Sequence, residues 1–235
     1  MSPPRKSHPS PILCYVTDRK SLGSVTAGDP CDLLLQRIAD AATAGIDWIQ
    51  IREKDLHGQE YALLVREALA QTKRSTEAKQ PARILVNDRL DIALTEHASG
   101  VHLGENSLPV KEVRPWFQSP RRYSADPSFL VGASCHSKEG AVSAARDGAD
   151  YIFFGPVFAI PSKAAFGAPQ GLERLAEVCR SVFIPVVAIG GITEEHASAC
   201  LLAGAAGIAA IRLFQQAADL PSLVASLRGI QHGGL

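Results

Sequence analysis

The chain has 235 residues, of which 46% are hydrophobic and 6% aromatic, and it carries 24 basic and 24 acidic side chains. This length fits one large α/β domain with a core of aliphatic residues. The zero formal net charge argues against a protein that binds nucleic acid or an anionic membrane surface. No apolar run in the sequence approaches the roughly 20 residues of a membrane span.

The N-terminal segment, residues 1–11, lacks the apolar core of a signal peptide and is predicted to be a disordered tail. The five cysteines are scattered and never spaced as C-x-x-C, which argues against a disulfide framework or a cysteine metal site. Cys14 and Cys135 fall within strand patterns and are interpreted as small core residues. We therefore expect a protein of the reducing cytoplasm.

Short apolar runs alternate with amphipathic helical patterns along the chain, which indicates repeated βα units around a parallel sheet. The runs predict strands at Ile12–Val16, Trp48–Ile51, Ile84–Val86, Val101–Leu103, Leu130–Ser134, Tyr151–Phe154, Val186–Ile189 and Ile208–Ile211. Longer patterns predict helices over Pro30–Ala44, Gln59–Gln71 and Gly171–Cys179. Eight strands close a (β/α)₈ barrel, which typically needs about 250 residues. We predict a single TIM barrel over residues 12–230.

The second predicted strand runs into a cluster of polar side chains. Because side chains alternate along a strand, Gln50, Arg52 and Lys54 share one face and are expected inside the barrel, near its C-terminal rim. Buried cations need anionic partners, and a phosphorylated substrate would supply one. The alternative is an internal ion pair with Glu53 or Asp88.

The third predicted strand is followed by Asn87 and Asp88. A carboxylate at the C-terminal end of a barrel strand is typical of catalytic or metal-binding residues, and Mg²⁺ usually takes one or two carboxylates together with substrate phosphates. The alternative role for Asp88 is to cap the short helix that follows it.

Two histidines belong to the fourth and fifth strands. His102 lies within a strand and is interpreted as a core histidine, whereas His136 follows a strand end and could act as a general acid or base. Because a helix begins near Ser137, a capping role for His136 remains the alternative.

Two loops near the rim stand out. Residues 119–128 are polar and bounded by prolines, which predicts an exposed loop before strand five. The loop over residues 159–167 after strand six carries Lys163 among small residues and is predicted to be a lid that closes on phosphate. The alternative is an ordinary solvated loop.

The seventh predicted strand leads directly into Gly190 and Gly191, and a helix-capping pattern follows at Thr193. Adjacent glycines let the backbone approach a ligand closely, and a helix N-terminus attracts anions. In barrels of this type the loops after the last two strands often form a phosphate site. We therefore predict a phosphate cradle at the two glycines.

Eight segments, in order along the chain and reaching seven strand ends, carry a family resemblance: QIREK, VNDRLDIAL, GVHLGENSLP, GASCHS, GPVFAIPSK, GLERL, IPVVAIGGIT and AGAAGIAAI. Together they look like the thiamine phosphate synthase family and its sister group, the TenI-type thiazole tautomerases, over roughly Ile12 to Phe214. The synthases join hydroxymethylpyrimidine diphosphate to a thiazole phosphate: diphosphate leaves with help from Mg²⁺, and the thiazole nitrogen captures the pyrimidine-methyl cation.

The resemblance also implies roles for individual residues. Those implied to hold the diphosphate and the pyrimidine are Gln50, Arg52, Lys54, Asn87 and Lys163, with Ser134 touching either group. Asp88 is implied as a Mg²⁺ ligand. Gly190 and Gly191 are implied to bind the thiazole phosphate, together with Ser162 in the loop after strand six.

Three positions depart from the synthase pattern. Ser107 stands where the family has a second metal-binding aspartate, so that Glu105 or substrate oxygens would have to replace that ligand. Ile160 stands where a threonine helps to bind thiazole phosphate. Arg212 replaces a small hydroxyl residue after strand eight, and it could grip a phosphate through two hydrogen bonds or crowd the site.

A tautomerase would need no metal, only the phosphate cradle and a proton shuttle, for which His136 is the matching position. The segments QIREK and NDR favour the synthase, because a tautomerase does not handle a diphosphate. A non-catalytic sensor of phosphorylated ligands is a third reading. The expected partners are small phosphorylated molecules, without nucleic acid or membrane, and a homodimer is left open.

Overall fold

The computed structural model of the protein describes residues 10–22, 29–74, 81–118, 128–160 and 168–230. Its parallel strands close into a barrel in which each strand pairs with the next along the chain and the last pairs with the first. The strands are Ile12–Val16 (β1), Trp48–Ile51 (β2), Arg83–Asn87 (β3), Gly100–Leu103 (β4), Leu130–Cys135 (β5), Tyr151–Phe154 (β6), Val186–Ile189 (β7) and Gly207–Ala210 (β8). The predicted (β/α)₈ barrel is confirmed.

Helices follow the strands and cover the outside of the barrel. They are Pro30–Thr43 (α1), Gly58–Arg74 (α2), Leu90–Thr95 (α3), Val110–Val113 (α4), Pro115–Gln118 (α5), Lys138–Arg146 (α6), Gly171–Ser181 (α7), Glu194–Leu202 (α8), Arg212–Gln215 (α9) and Leu220–Arg228 (α10). Side-chain caps fix several starts: Asp29 caps α1 and Thr193 caps α8. In the part of the chain that the structure describes, none of these helices combines the length and hydropathy that crossing a membrane requires.

The eighth strand begins one residue earlier than the apolar pattern predicts. Gly207 pairs with Ile12 on one side and with Val187 on the other. A Cβ atom at Gly207 would lie 2.1 Å from the carbonyl oxygen of Ile12, so a glycine is needed where the strands approach closely. Ile211 has a ψ of −74° and precedes α9, which ends the strand at Ala210.

The barrel has two apolar regions. Residues facing outward, such as Ile49 and Ile51, pack with the helices in one large cluster. Residues facing inward form a smaller cluster that contains Trp48, Tyr151 and Phe153. Beyond this inner cluster, towards the C-terminal ends of the strands, the barrel contains polar side chains, and burial of polar groups requires hydrogen-bond partners.

Several predicted segments fall largely outside the described residues. These are residues 1–9 of the N-terminal tail, residues 119–127 of the loop before strand five and residues 161–167 of the predicted lid. Pro11, at the end of the predicted tail, is described and buried, and its carbonyl oxygen accepts a hydrogen bond from Arg228.

Candidate active site

Active sites of TIM barrels lie at the C-terminal ends of the strands. The structure places these predicted site residues at or just beyond those ends: Gln50, Arg52, Lys54, Asn87, Asp88, Ser134, His136, Gly190, Gly191 and Arg212. Ser162 and Lys163 lie outside the described residues.

A chain of amide hydrogen bonds joins β2 to β3 inside the barrel. The Nε2 atom of Gln50 donates to Oδ1 of Asn87 at 3.0 Å, and Nδ2 of Asn87 donates to Oδ2 of Asp88 at 2.7 Å. Gln50 and Asn87 are both buried. Both polar atoms of the Asn87 amide have a defined partner, and so does the amide nitrogen of Gln50, which fixes the way the two amides face.

Asp88 has a φ of 62°, a left-handed conformation that aspartate adopts more readily than most residues. Its Oδ1 atom accepts hydrogen bonds from the Ser107 hydroxyl and from the Gly104 amide, the latter at 3.0 Å. Burial raises the pKa of Asp88, but these two hydrogen bonds and the nearby Lys54 charge outweigh burial and hold the pKa below its usual value. Asp88 is therefore an ionised, oriented carboxylate at the rim.

The alternative in which Asp88 caps the following helix is wrong. The residue at the N-cap of α3 is Arg89, and its side chain makes no capping hydrogen bond. The Asp88 carboxylate instead reaches the loop after β4, which brings two strand ends together.

Burial differs among the three residues expected inside the barrel near its C-terminal rim, and of these Gln50 is buried. Arg52 is half-buried and Lys54 is exposed. The strand ends at Ile51, and beyond a strand end the alternation of side chains no longer decides which way they face.

The suggested internal ion pair with Glu53 is formed by a different cation. Glu53 is buried and accepts hydrogen bonds from the Thr17 hydroxyl at 2.6 Å and from the Arg19 guanidinium at 3.1 Å. The Thr17 oxygen also accepts a hydrogen bond from the Arg52 backbone amide at 2.9 Å. Across the described ranges, neither Arg52 nor Lys54 forms a salt bridge with a carboxylate. Their charges are thus not neutralised by an ion pair within those ranges.

His136 does not cap α6. The capping residue is Ser137, whose side chain accepts a hydrogen bond from the Gly140 amide at 3.0 Å. Nδ1 of His136 lies 2.5 Å from the carbonyl oxygen of Gly155. Because a carbonyl oxygen can only accept, Nδ1 carries the hydrogen and Nε2 is the nitrogen that can take up a proton.

Gly190 and Gly191 have φ values of 94° and 66°, which a side chain would strain. A Cβ atom at Gly190 would lie 2.5 Å from Cβ of Pro156, and one at Gly191 would lie 2.8 Å from the Phe158 carbonyl oxygen. The two glycines therefore make room for the loop after β6 as well as for any ligand. A bulky residue here would disturb the fold itself.

Backbone contacts hold the two loops together. The Phe158 amide donates to the Gly190 carbonyl oxygen at 3.0 Å, and the Phe158 ring stacks on His196 of α8 with 3.8 Å between ring centroids. Nδ1 of His196 lies 2.8 Å from the Gly191 carbonyl oxygen. In the described ranges, the amides of Gly190 and Gly191 donate no hydrogen bond, whereas their carbonyls are both used.

A rim with an ionised carboxylate, two cations and a glycine turn at a helix N-terminus suits phosphorylated ligands. The protein-family comparison agrees, because residues 22–214 match the model described as thiamine monophosphate synthase. The chain belongs to the thiamine monophosphate synthase family. This membership confirms the family resemblance over the matched residues 22–214.

Curated relatives of this family member cover most of the chain. This chain is 42% identical over 188 residues to the thiamine-phosphate synthase of Methanoculleus marisnigri, and the alignment covers 80% of this chain and 83% of the relative. It is 37% identical over 223 residues to the thiamine-phosphate synthase of Chlorobium luteolum, covering 95% and 94%. The solved thiamine phosphate pyrophosphorylase of Pyrococcus furiosus aligns with a TM-score of 0.73 and 31% identity over 93% of this chain and 95% of that one. The expected transferase class is confirmed by these relatives.

Sequence reasoning missed the residues that hold the site together. Thr17, Glu53 and Arg19 form a network that carries the Arg52 backbone, and Tyr151 contacts His102 beneath the rim. The QIREK segment contains Glu53, but only its contact with Arg19, which follows the adjacent strand β1, explains why an acidic residue lies there.

Proposed function

We propose that the protein joins hydroxymethylpyrimidine diphosphate to thiazole phosphate and releases diphosphate. The observation that carries this proposal is the series of hydrogen bonds from Gln50 through Asn87 to Asp88, with the charge of Lys54 acting on Asp88 and that of Arg52 acting on His102. A tautomerase has no diphosphate for such a set to bind. The names of the curated relatives support the same reaction.

Arg52 and Lys54 stabilise the negative charge that develops on the departing diphosphate. Charged donors placed where charge develops in the transition state lower the barrier more than they tighten substrate binding. Lys163, which lies outside the described residues, is proposed as a third cation for the diphosphate. Gln50 and Asn87 present amide groups of fixed orientation to the pyrimidine ring.

The donor set at Asp88 fits Mg²⁺ held jointly by the protein and the diphosphate. Asp88 is an ionised carboxylate, and Mg²⁺ commonly binds one or two carboxylates together with substrate phosphates. Ser107 contributes a hydroxyl oxygen in contact with the same carboxylate. When bound, the cation would neutralise charge on the leaving diphosphate. Within the described ranges, no three His, Cys, Asp or Glu side chains cluster as a cage.

The thiazole phosphate binds at the turn after β7. Gly190 and Gly191 precede α8, whose N-terminal dipole and unpaired amides favour an anion. Ser162 and the exposed Arg212, which opens α9 after β8, complete this phosphate site. The uncharged thiazole nitrogen then captures the pyrimidine-methyl cation as diphosphate leaves.

We further propose that residues 12–230 act as one domain in the cytoplasm. None of the five cysteines, all of which lie in the described ranges, forms a disulfide, as expected for a reducing compartment. A homodimer stays a prediction.

The test compares synthase and tautomerase activities of one protein preparation. Purified protein is incubated with the two synthase substrates and, separately, with the thiazole carboxylate phosphate tautomer. A synthase loses turnover in EDTA and in Asp88→Asn, whereas Asp91→Asn, a matched change on the exposed face of α3, retains it. His136→Ala should leave synthase turnover largely intact.

The opposite pattern would contradict the proposal. A tautomerase would ignore EDTA and Asp88→Asn, and His136→Ala would lower its rate by the roughly 10²–10⁴-fold typical of a general acid–base group. Binding of phosphorylated ligands without turnover in either assay would indicate a sensor.

A further inference from the structure

A buried histidine and a buried tyrosine lie directly beneath the proposed site. Nδ1 of His102 lies 3.1 Å from the Tyr151 hydroxyl oxygen, and Nε2 of His102 lies 2.9 Å from the Ser134 hydroxyl oxygen. His102 is 1% exposed and Tyr151 is 0% exposed, so neither can touch a substrate. Ser134 is half-buried near the end of β5 and connects them to the site.

A glycine makes this arrangement possible. Gly132 is the cross-strand partner of His102 on β4 and of Tyr151 on β6. A Cβ atom at Gly132 would lie 2.0 Å from Cζ and 2.4 Å from the hydroxyl oxygen of Tyr151. The space left by the absent side chain therefore lets Tyr151 reach across β5 to His102. Ser134 stands two residues further along β5, on the same face.

The protons of this group can be assigned one by one. Burial raises the pKa of Tyr151 well above its usual value, so its hydroxyl keeps its hydrogen. In the described ranges, the acceptor that this hydroxyl meets is Nδ1 of His102. Both ring nitrogens of His102 face hydroxyl groups, and a charged ring is disfavoured for a side chain that is 1% exposed, so the ring is neutral and carries one hydrogen. That hydrogen lies on Nε2, which donates to the Ser134 oxygen.

We propose that Tyr151 and His102 are positioning residues that make Ser134 a hydrogen-bond donor to the substrate. Because the Ser134 oxygen accepts from His102, the serine's own hydrogen is directed to another acceptor. At this end of the barrel, that acceptor is an oxygen of the substrate diphosphate, so the inference rests on the proposed function. A hydrogen bond donated to the leaving group stabilises the transition state more than the bound substrate, because negative charge develops there as the bond breaks.

A double-mutant cycle tests the coupling between Tyr151 and Ser134. Tyr151→Phe removes the hydroxyl and keeps the ring, so we expect kcat to fall about tenfold, within the range for residues in one hydrogen-bond network, with KM nearly unchanged. In a Ser134→Ala background, the same change should alter kcat by less than about twofold. Tyr15→Phe is the matched control: Tyr15 is equally buried, but its hydroxyl bonds Gln215 instead, so kcat should be retained.

An equal loss of kcat from Tyr151→Phe in both backgrounds would overturn the proposal, since Tyr151 would then act only through packing. A second measurement needs no substrate. Nitrogen-15 NMR of the histidine ring, assigned by comparison with His102→Gln, should find hydrogen on Nε2 of His102 in the wild-type chain and in Tyr15→Phe. Hydrogen on Nδ1 would overturn the proposal. If the wild-type chain shows no synthase turnover, the proposed function fails, and the NMR result still decides the proton assignment.

Discussion

Replacing Gly132 with alanine should destabilise the barrel through a single steric conflict. The new Cβ would lie 2.0 Å from Cζ of Tyr151, whereas carbon atoms in contact prefer about 3.5–4.0 Å. The Tyr151 ring cannot simply move aside, because it packs against Trp48 with 4.7 Å between centroids and against Phe153 with 5.3 Å. Overpacking of this kind costs about 1–3 kcal/mol. For a domain of this size, that lowers Tm by roughly 2–12 °C.

Scanning calorimetry of four variants checks the cause. Gly58→Ala is the control, since its nearest contact at 3.3 Å is the flexible end of Arg89, and it should melt within about 2 °C of the wild type. Tyr151→Leu removes the ring atoms that conflict, so Gly132→Ala should cost little further stability in that background. An unchanged Tm for Gly132→Ala, or an equal loss in the Tyr151→Leu background, would refute the steric argument.

Two further predictions concern the charge of the site. Ser107→Asp places a second carboxylate against Asp88, so the Tm of this variant should fall in EDTA. Mg²⁺ at 100 times its Kd should restore up to about 2.7 kcal/mol of stability. The uncharged Ser107→Asn should gain no more stability from Mg²⁺ than the wild type, and equal gains for both variants would refute a metal site here. His102 has a folded-state pKa lowered to about 3 by burial, so its contribution to stability is present above the unfolded value of about 6.5 and is lost as the pH falls from there towards 3. In chemical unfolding between pH 6 and pH 4, the free energy of unfolding of the wild type should therefore fall by up to about 1.4 kcal/mol per pH unit more than that of His102→Gln. Parallel plots of unfolding free energy against pH for the two proteins would contradict this.

The fold could be predicted because buried parallel strands have an unusually clear pattern. Strands such as Tyr151–Phe154 and Val186–Ile189 are short, continuous apolar runs between amphipathic helices, and both were predicted with the observed bounds. The eighth strand was displaced by one residue because Gly207 has no side chain to extend the pattern. Its place in the strand depends on the close approach of Ile12, which no local pattern records.

For the site, the sequence pattern predicts which residues reach the rim but not which hydrogen bonds they form there. Asp88 was expected at a strand end, but its partners Gly104 and Ser107 follow 16 and 19 residues later. The exposure of Lys54 could not be predicted, because the alternation of side chains no longer applies past the end of β2. Hydrogen bonds between different strand ends depend on barrel closure, so they become visible only once the strands are in register.

Ser107 shows how a departure from the family pattern can be understood physically. Two adjacent carboxylates repel each other unless a cation lies between them, whereas the Ser107 hydroxyl donates to Asp88 and keeps it ionised and oriented without a cation. On the proposed function, Mg²⁺ then takes more of its ligands from the substrate diphosphate than from the protein. Metal and diphosphate should consequently bind this chain interdependently, and Ser107→Asp should weaken that dependence by restoring a protein ligand.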